Sequence, residues 1–181
     1  MTTKPGYGKS KGSGFEREIC KKLSLWISDG ERDDCFWRSA MSGGRASVQF
    51  KKGKDNKSQV GDISPITALG EKLLDKFVVE CKAYRNIRID SLIYGTPKHD
   101  SLLEFWLQLV KVCDEANKHP MLIFKENGKN TILGVDSYFR ENISGSNYQL
   151  DELAFFEQHD LSLYYLDIAL GFIDPAILEI I

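Results

Sequence analysis

KFVVECKA, residues 76–83, decides how this chain is read. Phe77, Val78 and Val79 form an apolar, partly β-branched run that suits a strand in a sheet interior. On such a strand Glu80 and Lys82 project from one face, while Cys81 points the other way into packing. A Glu-x-Lys pair by itself is an ordinary surface ion pair. Directly after a buried run, the two charged groups need a partner, and a metal ion can serve as one.

Upstream, GDIS at residues 61–64 opens a second strand, Gly61 to Ile66, which can pair with the first and bring Asp62 towards Glu80. A turn-forming Gly-Asp is the structural alternative for residue 62. Two carboxylates aimed at one point repel unless a divalent cation lies between them. Hard oxygen ligands favour Mg²⁺, with Mn²⁺ as a substitute. A cation there polarises a phosphodiester oxygen and acidifies water, and Lys82 positions that water or stabilises charge on the phosphorus. The chemistry implied is phosphodiester hydrolysis.

Further towards the N-terminus, Phe15, Ile19, Leu23, Trp26 and Ile27 recur at helical spacing. Glu16 falls in the first turn of that expected helix, where Ser13-x-x-Glu16 is also a capping box; both roles stay open. Cys35 to Ser39 reads as a short strand bearing Arg38, either a solvated arginine or a phosphate grip beside the following Ser/Gly-rich loop. The Gly43-Gly44 turn and KKGKDNK, residues 51–57, cannot be core. A Lys-rich flap is therefore expected at about 40–60, with Val48 and Phe50 in a small hairpin. MTTKPGYGKSKGSG, residues 1–14, is expected to be a flexible basic arm.

Downstream, Asp100 to Ala116 carries apolar residues on more than one helical face and is expected to be buried on two sides, with Pro120 stopping it. Met121–Phe124 and Thr131–Val135 form a strand pair turned at Asn127-Gly128. Leu150–His159, Leu161–Leu166 and Pro175–Ile181 are expected to add a helix, a strand and a short terminal helix. The order predicts one layered α/β or α+β domain.

The net charge of −2 conceals a segregation, with 13 Lys/Arg against 7 Asp/Glu in residues 1–60 and 11 against 19 thereafter. A basic N-terminal third can bind phosphates while an acidic remainder faces elsewhere, although a solvated face would look the same. Cys20, Cys35, Cys81 and Cys113 form no C-x-x-C pair and read as small buried residues, without a zinc site or a disulfide framework. No apolar run is long enough for a membrane span and the N-terminus lacks a signal-peptide core, so the expectation is a soluble, cytoplasmic protein with no membrane partner.

KGSGFERE, FWRSAMSGG, VGDIS and FVVECK, in this order, resemble the blocks of the archaeal-type Holliday junction resolvases and their phage relatives, within the PD-(D/E)XK nucleases. The likeness spans about residues 11–135. It implies a restriction-endonuclease-like core, a mixed central β-sheet flanked by helices, at residues 15–136, with 137–181 as a C-terminal extension packed on it. It implies Glu16, Asp62, Glu80 and Lys82 as catalytic residues, with Asp62, Glu80 and Glu16 holding metal. Arg17, Arg38 and Ser39 are implied as DNA contacts, to which the charge pattern adds Lys9, Lys11, Lys51, Lys52, Lys54 and Lys57. Gln108 and Lys111 would be accessory contacts. The partner implied is a four-way DNA junction or other branched DNA, cut by a homodimer, with Phe105 and Trp106 either at its interface or in the core. The same chemistry acting on duplex DNA, restriction-like or nicking, and a non-cutting DNA-binding module are the alternatives. A phage source would place the protein in the host cytoplasm.

Overall fold

The computed structural model describes residues 7–39, 60–96, 99, 101–145 and 150–179; the expected flap at about 40–60 lies outside them, apart from Val60. The first helix, α1, runs Tyr7–Ile27. Its apolar stripe is the expected one, with Phe15, Ile19, Leu23, Trp26 and Ile27 all buried. Each such side chain contributes roughly 1.5–3 kcal/mol on burial. The helix starts eight residues before Phe15, so residues 7–14 are helical rather than part of a loose arm. Ser13 then lies inside the helix, and the capping role for Glu16 falls away. Extending a docked helix by a turn or two costs far less than nucleating one.

Strand β1, Phe36–Arg38, is anchored to α1 through Ser24, whose Oγ donates to the Cys20 carbonyl and accepts from the Phe36 amide. It pairs antiparallel with β2, Ile63–Pro65, in a separate two-stranded sheet. The expected pairing of the Asp62 strand with the Glu80 strand is therefore corrected. β2 takes β1 as its ladder partner, and Asp62 itself joins the two segments by two hydrogen bonds. Helix α2, Ala68–Leu74, had no signal strong enough to read; Thr67 caps it, Oγ1 accepting from the Gly70 amide. Gly70 is needed for the close approach of α2 to β1, because a Cβ there would stand 2.6 Å from the Cys35 carbonyl oxygen.

The main sheet has five strands in the order β3-β4-β5-β7-β6: β3 Phe77–Tyr84, β4 His119–Glu126, β5 Thr131–Val135, β6 Ala154–Phe156 and β7 Leu161–Tyr165. β3 and β4 are parallel and every other pairing is antiparallel. The short helix α3, Asp90–Tyr94, and then α4, Leu102–Ala116, form the crossover between β3 and β4. Ser101 caps α4 through the Glu104 amide, and Asn117 ends it in the left-handed region at φ +54°. Pro120 is not the stop. It sits at the start of β4, one residue before β5 begins to pair, where its missing N–H removes no ladder bond.

The sheet separates two apolar layers. Phe77, Val79 and Cys81 face the layer that contains α1, and Val78 faces the one built from α4. Trp106 is fully buried and Phe105 nearly so, the Trp106 indole donating to the His159 carbonyl at 2.8 Å. Both belong to the core and are unavailable as a subunit interface. All four cysteines are buried and unpaired. After Asp136, which caps helix α5 (Ser137–Gly145) by accepting from the Phe139 amide, the chain returns to the sheet. Leu150–His159 is not a helix: it supplies β6 and a 3₁₀ turn, Glu157–His159, that leads into β7. Cross-strand pairing with β7 overrides the local helical pattern. Helix α6, Leu166–Phe172, and a 3₁₀ turn, Pro175–Glu179, end the described chain. No helix among the described residues is long and apolar enough to cross a membrane.

Candidate active site

Among the described residues β3 has a ladder partner, β4, on one side, which leaves the backbone groups of its other edge to other contacts. Residue 62 covers them. The Asp62 amide donates to the Val79 carbonyl at 2.9 Å, and Asp62 Oδ2 accepts from the Cys81 amide at 2.9 Å. These two bonds hold a carboxylate, only 7% exposed, against β3. The Ser39 amide donates to the Asp62 carbonyl at 2.7 Å, which ties the end of β1 to the same point.

The approach depends on Gly61. Its φ is +97°, and a Cβ would stand 2.6 Å from the Val79 carbonyl oxygen. Gly61→Ala therefore combines left-handed strain with a clash against backbone that cannot move aside. The expected cost is at least about 2 kcal/mol, together with loss of the edge bonds of Asp62. Chemical denaturation with a readout of cleavage would check both; an unchanged midpoint would show that the contact is not needed.

Glu80 and Lys82 leave β3 on the α4 face and are bonded to each other, each about one-quarter exposed. Lys82 Nζ also lies over the Phe105 ring, 5.6 Å from its centroid. On the α1 side, Glu16 Oε2 accepts from Arg38 Nε at 2.9 Å, with the Glu16 side chain 12% exposed and that of Arg38 30% exposed. Asp62, at the strand edge, feels both sides. Burial first, then the Glu80 carboxylate, push its carboxyl up to about 7; Glu16 adds to this, while the Cys81 amide and Lys82 oppose it. Burial pulls the Lys82 ammonium down, but Glu80, the hydrogen bond to it and Asp62 outweigh that, and Lys82 is held above its ordinary range.

A buried carboxylate driven to near-neutral pKa beside a second one is an arrangement short of positive charge, and its oxygens suit a hard divalent cation. Among the described residues no three His, Cys, Asp or Glu side chains stand together as a ready metal cluster. Asp62 and Glu80 would hold such an ion as a pair, with water and substrate oxygens completing its shell. Glu16, expected as a third ligand, bonds Arg38 and acts electrostatically on Asp62.

Residues 7–168 match the family described as Phage putative PDDEXK endonuclease. The chain belongs to this family. No curated protein and no solved structure matches the chain. The fold and the match agree: a mixed sheet flanked by helices is a PD-(D/E)XK-like core, and PD-(D/E)XK nucleases generally use divalent metal. The match runs to residue 168 and so takes in β6 and β7, beyond the stretch in which the sequence blocks are legible.

In this chain the remaining candidates are scattered. Arg17 is exposed on α1, and Gln108 and Lys111 are exposed on the outer face of α4. Ser39 is buried, with its backbone amide bonded to Asp62. Lys9 and Lys11 fall within α1, but their side chains lie outside the described residues, as do Lys51, Lys52, Lys54 and Lys57 altogether. Two participants escaped the sequence. The Cys81 amide could have been found by asking what covers the free edge of β3. Phe105 carries no local signal, because its place under Lys82 depends on how α4 crosses the sheet.

Proposed function

We propose that this chain is a divalent-metal-dependent DNA endonuclease that acts on four-way junctions or related branched DNA. The observation that supports the chemistry best is the strand-edge carboxylate: Asp62, buried, bonded to β3 and raised to about 7 by burial and Glu80, with protonated Lys82 alongside. Asp62 and Glu80 would hold the ion, Mg²⁺ with Mn²⁺ as a substitute. When bound, it supplies Lewis acidity towards a phosphate oxygen and lowers the pKa of water. Lys82 keeps its proton and offers N–H groups to the attacking water or to charge growing on the phosphate. Glu16 orients Arg38, leaving the outer guanidinium N–H groups for a neighbouring phosphate. Arg17, Ser39, Lys9, Lys11, Lys51, Lys52, Lys54 and Lys57 belong to the DNA-contacting set in this reading.

The junction preference rests on the order of the blocks KGSGFERE, FWRSAMSGG, VGDIS and FVVECK. A homodimer, with its two-fold matched to that of a junction, would deliver paired nicks, in the cytoplasm of a host cell. The test is cleavage of a labelled four-way junction beside a linear duplex of the same sequence, with Mg²⁺ or with EDTA. Symmetric, Mg²⁺-dependent nicks in the junction alone are expected. Equal cutting of the duplex would remove the junction preference and keep the nuclease. Binding without cleavage under either Mg²⁺ or Mn²⁺ would remove the enzyme.

A further inference from the structure

The β1-β2 hairpin has a buried side and an open side. Phe36 is buried and Arg38 turns to Glu16, so the side chain between them, Trp37, leaves on the opposite face and is 56% exposed. Its cross-strand neighbour is Ser64, a residue too small to cover an indole, and Ile66, two positions on, is 57% exposed. Among the described residues the hairpin thus presents an exposed aromatic ring with an aliphatic flank. Exposure is costly for tryptophan, and the other two, Trp26 and Trp106, are both buried, with indole N–H groups bonded to the Ile173 and His159 carbonyls.

The position matters as much as the exposure. The residue after Trp37 is the arginine bonded to Glu16, and the residue after that donates its amide to Asp62. Trp37 therefore sits two residues before the amide that holds Asp62, and its cross-strand partner Ser64 lies two residues after Asp62, on an element whose register is set by three paired residues.

Resting on the nuclease reading above, we propose that Trp37 is a base-stacking residue, a specificity determinant that receives an unpaired or unstacked nucleobase next to the phosphate held at Asp62 and Glu80. Every base has a π-face, so an indole platform reads an opened helix without reading its sequence. In continuous duplex each base is covered by its neighbours and offers no such face. Branched DNA supplies one at the crossover, and Trp37 thereby favours branched over linear substrate.

The test uses the full chain in EDTA, so that the DNA stays whole, with three probes: a four-way junction, a linear duplex and a branched duplex carrying a single-stranded flap. Because Trp26 and Trp106 are buried, Trp37 dominates the tryptophan emission accessible to iodide. The expected result is quenching by junction and flap DNA, little by duplex, and none in Trp37→Phe. Trp37→Ala should weaken junction binding about tenfold, equivalent to about 1.4 kcal/mol, with duplex binding unchanged and Trp37→Phe restoring most of the loss. If junction binds while emission stays constant, or if Trp37→Ala binds all three probes as wild type does, the stacking role is overturned and the nuclease reading survives. If the wild type binds none of the probes, both fail together.

Discussion

Asp62→Asn is expected to abolish cleavage and, at the same time, to make the metal-free protein more stable at pH 8. The first effect follows from removing one of the two carboxylates that would hold the cation, and a loss of at least about a thousandfold is expected, at the upper end of what a single electrostatic group supplies. The second follows from linkage. Asp62 sits at about 7 in the folded chain against an ordinary 3.8, so between those values the folded state holds a proton that the unfolded state has released. Stability is therefore highest below about pH 4 with respect to this group, declines as pH rises towards 7, and levels off above it. At about 1.4 kcal/mol per pH unit, the ionised carboxylate costs on the order of 4 kcal/mol at pH 8.

Asparagine avoids that cost. Its carbonyl oxygen can accept from the Cys81 amide in place of Oδ2, and its amide carries no charge to bury. At roughly 2–4 °C per kcal/mol for a chain of this size, the melting temperature at pH 8 in EDTA should rise by at least about 5 °C, with the gain shrinking to nothing near pH 4. Adding Mg²⁺ should stabilise the wild type and leave Asp62→Asn unmoved. A variant less stable than wild type at pH 8 would mean that burial and the Glu80 carboxylate do not disfavour ionised Asp62 in the folded protein.

Lys82→Met is expected to reduce cleavage by about a hundredfold to a thousandfold and to destabilise the fold. Glu80 loses its bonded counter-ion while still only about one-quarter exposed, and Asp62 loses one of the two influences that hold its pKa down. For this partly exposed pair the cost should be about 1–3 kcal/mol, below the value for a fully buried one. Asp62 should then titrate at still higher pH, so the decline in stability extends above pH 7. Replacing Glu80 by Gln in the same chain removes the stranded carboxylate. The double variant Glu80→Gln/Lys82→Met should therefore recover most of the stability and none of the activity. Denaturation midpoints for the four members of this cycle measure the coupling directly; additivity would show that the two side chains do not act as a pair.

Much of this was legible before any coordinates. The run Phe77-Val78-Val79 announces a buried strand because β-branched and aromatic side chains suit a pleated interior, and the period of two places Glu80 and Lys82 on one face whatever the rest of the chain does. The stripe from Phe15 to Ile27 is equally local. Helix α2, Ala68–Leu74, and helix α3, Asp90–Tyr94, were missed because stretches so short show barely one turn of periodicity. Leu150–His159 was misread because strand pairing with β7 supplies what the local pattern lacks.

What the chain determined unaided is therefore the set of side chains at hand: three carboxylates, a lysine and an arginine, three of these five on strands whose alternation is a property of the backbone. What only tertiary structure decided is who meets whom. Asp62 meets β3 through the Val79 carbonyl and the Cys81 amide rather than through a shared ladder, Glu16 bonds Arg38, and Trp37 is left exposed. Those outcomes depend on which strand β2 pairs with and on which face α1 and α4 dock. They are contacts between segments far apart in sequence, and no local period or propensity encodes them.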